Sequence, residues 1–541
     1  MKRLLPAAGL ALLSLLTLSS PEAQASHAQG GDLRYEYAGT PAQPNRYKVS
    51  CRLFRDCSGI PAPVSLHLNA RIGTPVTACT SQSPMNFTAS LLPQGPPTYG
   101  SQYCATVTGV CTASGPTNYE ENTYAGFVTL PAGQWTLSVI ENARPTLANI
   151  NGNTNLYFEA TLDNRSGLHN SSPSFASSPA VFVGWQQAIS VNAGAFDADG
   201  DSLAFSLAAP LQDCNTPNQY TTNPLGYPYP GPSGCTAVYS QPMPPLSPTY
   251  PLPSVQVSGA CPVVTLTPYF LLDAANGQLL FTPMVYSAGS PSQNGNNKYA
   301  VVVKVDEYRR VNGAYQPIGS VRRELFVNVY DCGANQMPRF ASSMQVYGMT
   351  GPVSLNTPIP VRSGAATSLV LTASDANAGQ RMQLTANHLN VPGVFAQQTN
   401  ANTLVMEFTP PSSLPDGTYY ITVRAEDDAC PIKGFEMKTL AFRVYGSPLS
   451  SRGKSRALLS PAFPNPFREQ VSFALLRPGQ DAAVEVVNQL GQVVDRVPVP
   501  AGAPSTETTL TWHPAPQLPA GVYLARFPNG QQTVRLLYQG R

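Results

Sequence analysis

Apolar and polar residues alternate with a period of two in short runs along much of this chain. Residues 33–37 read Leu-Arg-Tyr-Glu-Tyr, and 47–54 read Tyr-Lys-Val-Ser-Cys-Arg-Leu-Phe. Successive side chains leave a strand on opposite faces, so this alternation marks half-buried antiparallel strands. Runs at 64–68, 126–130, 135–140 and 156–162 behave alike, and Arg55-Asp56-Cys57-Ser58-Gly59 forms a turn before the third strand. The pattern predicts a β-sandwich over residues 26–171. A second set of short strands lies at the far end, at 471–476, 483–488, 492–497, 507–512, 521–527 and 532–538. Gly491-Gln492, Pro504, Leu518-Pro519 and Asn529-Gly530 punctuate them. Strands at this spacing predict a small sandwich over residues 459–541.

The stretch between is an internal repeat. Phe175-Ala176-Ser177-Ser178 returns as Phe340-Ala341-Ser342-Ser343, and Leu280-Phe281-Thr282-Pro283 returns as Glu407-Phe408-Thr409-Pro410. The strand Tyr299-Ala300-Val301-Val302-Val303-Lys304-Val305-Asp306-Glu307 returns as Tyr419-Tyr420-Ile421-Thr422-Val423-Arg424-Ala425-Glu426-Asp427. Between these, Asp197-Ala198-Asp199-Gly200-Asp201 has a weaker echo in Asp375-Ala376-Asn377-Ala378-Gly379. Shared order predicts two more sandwiches, at 172–335 and 336–446, and an elongated array. The first of them carries an insertion at 211–261, rich in Pro, Tyr and Ser. Its prolines speak against a regular ladder, and Tyr220, Tyr227, Tyr229, Tyr239 and Tyr250 are expected to be exposed. Cys214 and Cys235 offer a bridge closing its first half. The loop either packs on its own sandwich, the favoured reading, or presents tyrosines to sugars or proteins. Residues 447–458, with their serines, Gly453, Arg452, Lys454 and Arg456, read as a flexible, protease-accessible linker.

Composition narrows the class. Charged residues are only 11%, against a usual figure of about 25%. With 42 Gly and 54 Pro the chain is strand and turn, and 42% hydrophobic residues allow it a real core. The net charge is +2 with no basic stripe, which argues against nucleic acid as a partner. Lys2-Arg3, the apolar run 4–18 and Ala23-Gln24-Ala25 ahead of Ser26 read as a secretory signal peptide over 1–25, taken up by the Sec machinery. No other apolar run is long enough to span a bilayer, so the mature protein is expected to be soluble or surface-attached. Ten cysteines in an exported chain read as disulfide candidates: Cys51, Cys57, Cys79, Cys104, Cys111, Cys214, Cys235, Cys261, Cys332 and Cys430. Five precede residue 112, four fall in the first repeat and Cys430 stands alone, so either one bridge joins domains or two thiols stay free.

One constellation carries candidate chemistry. Asp197, Asp199 and Asp201 sit at alternate positions around Gly200 and repel unless a cation joins them. Ca²⁺ takes six to eight oxygen ligands, and the repeat register brings the strand end Asp306-Glu307 close enough to supply more. The loop is not an EF-hand, since its twelfth position is Ala208. In the second repeat Asn377 and Gly379 replace two of the acids, leaving Asp375 with Glu426, Asp427 and Asp428. A solvated acidic turn is the other reading, and both stay open. Arg52, Arg55 and Asp56 read as the flank of a strand end rather than a site. No GxSxG, HExxH or Cys–His arrangement occurs, and the paired carboxylates fall in predicted turns, which points away from catalysis.

Three resemblances follow from quoted residues. Pro464-Asn465-Pro466-Phe467, the Val486–Val494 motif VVNQLGQVV with Gly491, Leu518-Pro519-Ala520-Gly521-Val522-Tyr523 and Val534-Arg535-Leu536-Leu537 resemble the type A C-terminal sorting domain of the type IX secretion system of gliding Gram-negative bacteria. That resemblance implies recognition by outer-membrane export machinery, removal of the domain, and release or surface attachment of the rest. The opening GGDLRYEY…YKVSCRLFRDCSGI resembles a recurrent family of large surface proteins without assigned chemistry. DADGDSLAFSL and RAEDDA resemble cadherin-like repeats of bacterial surface proteins, which implies Ca²⁺ at Asp197, Asp199, Asp201, Asp306 and Glu307. The expectation is an all-β tandem array of Ig-like or cadherin-like sandwiches ending in a sorting sandwich. Its expected role is non-catalytic structure or adhesion at the cell surface. A carbohydrate-binding protein and a secreted hydrolase are the alternatives.

Overall fold

A computed structural model describes residues 28–540 apart from 57–60, 80–85, 101–118, 143, 153, 166–168, 176–179, 223–233, 289–294, 312, 388–390, 415, 430–431, 447–457, 460–461, 477–482, 489–490, 500–506 and 527–532. The signal peptide, most of the linker, Cys57, Cys104, Cys111, Cys430, Tyr227 and Tyr229 lie outside the described residues. The described chain is almost wholly strand. Its one α-helix is the single turn Pro75–Ala78, and no helix is long and apolar enough to cross a membrane.

The alternating runs of the first unit are strands, and Leu33, Tyr35, Tyr47, Val49, Cys51 and Leu53 line its core. Its seven main strands are ordered Ala28–Tyr37, Arg46–Asp56, Tyr119–Thr129, Asn86–Pro93, Leu66–Ile72, Gln134–Glu141 and Leu156–Asp163, all antiparallel. Both ends of that run pair with one strand of the next unit, Ala314–Tyr330. Gly30–Asp32 meets it at Arg323–Leu325, and Ala160–Leu162 meets it at Gly319–Val321. The sheet therefore continues across residue 171, the expected boundary, and closes on itself through a borrowed strand. At 17 residues this strand spans about 55 Å, long enough to serve two units. The approach is close: a Cβ at Gly31 would run into the Arg52 carbonyl and the Phe158 ring. Arg52 donates to both oxygens of Asp32 at 3.0 and 2.6 Å and to the Phe175 carbonyl at 2.8 Å. Arg55 pairs with Glu120 at 2.8 Å. Both are structural pairs.

In the second unit Ser202–Ala208, Lys298–Val311, Ala314–Tyr330 and the parallel strand Ala180–Gly184 form one layer. Ile189–Asn192, Gln278–Phe281 and Phe270–Leu272 form the other. The insertion differs from expectation. Thr236–Tyr239, Val255–Ala260 and Val263–Pro268 make a regular three-stranded sheet over Val255, Leu266 and Met284. Tyr250 is buried, with its hydroxyl donating to the Ser254 carbonyl at 2.6 Å, and Tyr220 and Tyr239 are half-buried, so the tyrosines among the described residues form no exposed row. Prolines bound these strands without interrupting them. Cys214 bonds to Cys79 of the first unit and Cys235 to Cys261, rather than Cys214 to Cys235. Cys51 and Cys332 are buried free thiols and leave the candidate bridge set. Cys51 falls on the core-facing beat of its strand, where no second sulfur meets it.

The third unit is a sandwich of a six-stranded and a four-stranded sheet around Ile359, Leu371, Met406, Phe408 and Phe442. Ser190 of the second unit donates to the Met437 carbonyl of the third at 2.5 Å, and Phe435 and Met437 join the core shared by the first two units. The last unit packs a three-stranded sheet on a four-stranded one around Phe467, Trp512, Tyr523 and Tyr538.

Candidate functional site

The acidic turn wraps around its first carboxylate. Asp197 Oδ1 accepts the backbone N–H of Asp199 and of Asp201, each at 2.9 Å, and Gly200 supplies the positive φ of 79° that the turn needs. Asp197 is thereby drawn inward, to 7% exposure. Opposite it stands Glu307, 0% exposed, on the strand Lys298–Val311. Two-residue alternation sends the neighbouring Asp306 to the other face, where Lys304 holds it at 2.6 Å. Of the five expected ligands, Asp306 is therefore not at the site.

Oxygens of Asp197, Asp201 and Glu307 lie within 4.8 Å of one another. Glu307 Oε2 accepts from Asn170 Nδ2 at 2.8 Å, while Glu307 Oε1 and Asp197 Oδ2 find no donor in the surrounding protein. Burial first, and the facing Asp197 second, push the Glu307 carboxyl up to about 10; burial also raises Asp197. Without a cation, Glu307 keeps its proton at neutral pH and offers it to Asp197.

Arg309 is the residue the sequence reading did not weigh. It lies two positions after Glu307 on the same face, donates through Nε to Asp201 Oδ1 at 2.7 Å and pairs through Nη2 with Asp201 Oδ2. It also reaches Asp199 Oδ2 at 3.3 Å, the His169 carbonyl at 2.7 Å and Asn170 Oδ1 at 2.7 Å. Asp199 accepts the Ser171 N–H at 2.7 Å. The first unit contributes Tyr35, whose hydroxyl accepts from Asn170 at 3.1 Å and donates to the Thr161 carbonyl at 3.0 Å. Gly319 fits because a Cβ there would lie 2.6 Å from Glu307 Oε2. The cluster is thus a joint, assembled from the connecting segment 169–171, the acidic turn, the long hairpin and the first unit. Asp197 Oδ2 and Glu307 Oε1 form a buried two-oxygen seat. Asp201 lies beside that seat but is held by Arg309, and Asp199, expected as a ligand, is turned to the Ser171 N–H and Arg309 and is not among the oxygens gathered there.

The third unit repeats this frame with different chemistry. Asn335 donates to Asp427 Oδ2 at 3.0 Å as Asn170 does to Glu307, and Asn377 Oδ1 accepts the Gln336 N–H at 2.8 Å as Asp199 does Ser171. Asp427 Oδ1 accepts from the N–H of Ala429 and Gly434 at 2.9 and 2.7 Å, so both its oxygens are satisfied. Glu426 is held by Arg424 and by Lys433, and Asp428 by the Arg381 N–H. Among the described residues these acids form no cation seat.

A cavity of about 280 Å³ opens between the second and third units, lined in part by Phe196, Phe205, Asn276, Asn387, Tyr420 and Arg424. Arg424 is already paired with Glu426 and lies over the Phe435 ring.

In the last unit the expected sorting residues act as fasteners. Asn465, between Pro464 and Pro466, donates to the Arg535 carbonyl at 2.8 Å and accepts the Leu537 N–H at 2.6 Å, stitching the opening turn to the final strand. Tyr523 donates to the Pro519 carbonyl at 2.7 Å, Gly521 starts its strand, and Gly491 carries a φ of 80° in a turn.

No curated protein matches the chain. Among solved structures, the titin fragment I67–I69 in an E-to-A variant aligns at 9% identity, covering 68% of this chain and 98% of that one, with a TM-score of 0.16. Human protocadherin-24 EC1-2 aligns at 13% identity, covering 51% and 100%, with a TM-score of 0.15. At scores this low neither likeness carries an argument about this chain. Residues 461–537 match the family described as the secretion system C-terminal sorting domain. The chain therefore ends in a type IX sorting domain, the mark of a protein that is secreted and attached at the cell surface.

Proposed function

We propose that this is a non-catalytic structural or adhesion protein of the cell surface, whose first two units are locked into one rigid body by a joint that binds Ca²⁺. The observation that carries this reading is the buried pair Asp197 and Glu307, two carboxyls that face each other with Asp201 close by, placed where the two units meet. Without a cation the pair avoids repulsion only by keeping a proton, and a divalent ion between them lets both carboxylates ionise. The same reading fits three other buried ion pairs, which hold strands together: Arg52 with Asp32, Arg55 with Glu120, Arg144 with Glu324. The sorting domain delivers the array, and the linker 447–458 is where it is released from that domain.

The test is thermal unfolding of the full chain in excess chelator and in millimolar Ca²⁺. Ca²⁺ is expected to raise the first unfolding transition by several degrees, as a ligand of the native state must. Glu307→Gln is expected to abolish the rise, its curves in chelator and in Ca²⁺ superimposing. Superimposable wild-type curves in the two conditions would remove the metal from the proposal.

A further inference from the structure

The cavity between the second and third units takes no part in the calcium joint. Bonds that cross the boundary hold its two walls together. Ser190 Oγ donates to the Met437 carbonyl at 2.5 Å, Gln278 Nε2 donates to the same carbonyl at 3.3 Å, and Asn192 Nδ2 donates to Thr439 Oγ1 at 2.5 Å. The walls differ in kind. The second unit presents the rings of Phe196 and Phe205. The third unit presents the outer face of a sheet whose inner face sends Leu384, Ile421 and Val423 into the core. Alternation turns Tyr420, Thr422 and Arg424 outward, and Asn387 stands directly opposite Thr422 on the neighbouring strand.

Asn387, Tyr420 and Thr422 bring an amide and two hydroxyls to the cavity. Among the described residues none of these three side chains has a hydrogen-bond partner. Burial first, and Asp273 second, raise the Tyr420 phenol, so it stays protonated and can both donate and accept. The one charged residue of the lining is Arg424. It is committed to Glu426 and lies over the Phe435 ring at 4.3 Å. A phosphate or carboxylate in this cavity would meet no uncommitted cation.

We infer that this cleft binds a neutral sugar ring, as the terminal hexose of a glycan would supply. A pyranose carries apolar C–H faces and a rim of hydroxyls. Phe196 and Phe205 suit the faces, and the amide and two hydroxyls of the opposite wall suit the rim. The volume of about 280 Å³ lies just under the usual range of small-ligand sites, about 300–1,000 Å³, so there is room for one ring rather than a chain. Boundaries between domains are where such pockets commonly form. The inference rests on the adhesion reading above and gives it a ligand class, while it needs nothing from the calcium joint.

Saturation-transfer NMR on the full chain tests this, with glucose, galactose, mannose and N-acetylglucosamine as probes and N-acetylneuraminic acid as the anionic counterpart. Wild type is expected to bind at least one of the four neutral sugars with a Kd of about 1 mM, and not the acid. Tyr420→Phe keeps the ring and removes only the hydroxyl, and Asn387→Ala truncates an exposed side chain. Each is expected to weaken binding about tenfold. Both variants should keep the wild-type melting curve, including its rise with Ca²⁺. No transfer to any of the four neutral sugars, binding unchanged in both variants, or stronger binding of the acid would overturn the assignment. With the calcium response intact, such a result strikes out the cleft and leaves the joint standing; sugar binding without a calcium response does the reverse.

Discussion

Glu307 decides how the joint behaves. Its carboxyl is held up near 10 by burial and by Asp197. A group whose folded value lies above its unfolded value near 4.5 binds its proton more tightly in the native state. Its stabilising contribution is complete below the unfolded value and is lost as pH rises through the folded one. In chelator, the first transition should therefore weaken steadily from about pH 5 to 10, by at most about 1.4 kcal/mol per pH unit. Glu307→Gln, which mimics the protonated acid, should flatten that slope in a urea-melt series, whereas an unchanged slope would remove Glu307 as its cause. Much of this site was legible in the sequence. The spacing of Asp197, Asp199 and Asp201 marked the turn, and the repeat register brought in the Asp306-Glu307 pair. Strand alternation, applied one step further, selects Glu307 over Asp306 and puts Arg309 beside it. Asn170 was harder to see, because its role shows only when its counterpart Asn335 is found making the same bond in the next unit.

The strand Ala314–Tyr330 is what joins the body. On one side it pairs with Lys298–Val311 along nearly its whole length; on the other it meets Leu156–Asp163, Ala28–Tyr37 and Ala180–Gly184 in succession. Arg144 fixes it in place: its guanidinium donates two hydrogen bonds to Glu324, at 2.8 and 2.7 Å, and also reaches the Thr154 hydroxyl and the carbonyls of Asn155 and Leu211. With Arg144 at 0% and Glu324 at 4% exposure, removing one partner strands a buried charge. Arg144→Leu should cost about 3–5 kcal/mol in urea unfolding, and adding Glu324→Leu should recover most of that loss. A double variant no better than the single would mean that the hydrogen bonds to Thr154, Asn155 and Leu211 matter more than the charge pair. None of this was visible in the residue pattern. Arg322, Arg323, Glu324 and Asn328 interrupt the apolar residues of this strand, and its spelling does not say how many neighbours it has. The insertion misled in the opposite way, since the prolines that argued against a ladder lie outside its three strands.

At the scale of the whole molecule, the all-β tandem architecture was legible in the sequence while the cooperative units were not. Alternation and repeats locate strands, yet a boundary depends on which strands share a core, and that is a contact between residues far apart in the chain. One core runs from Ala28 through Tyr330 and takes in Phe435 and Met437, whereas Phe467, Trp512, Tyr523 and Tyr538 enclose another by themselves. A fragment covering 26–171 lacks the strand that closes its sheet, leaving both edges open and core residues such as Leu33 and Phe158 without their cover. It is expected to show no cooperative unfolding, while 26–446 should unfold with its first two units in a single transition. Cys79–Cys214, bridging positions 135 residues apart, adds to that coupling, by up to about 5 kcal/mol through the entropy of the unfolded chain. Calorimetry of the two fragments separates the alternatives: a sharp transition from 26–171 alone would mean that the borrowed strand is an attachment rather than part of the fold. Because the expected outcome merges two units into one, a pull along the chain would have to strip Ala314–Tyr330 from four neighbours before the first unit could open.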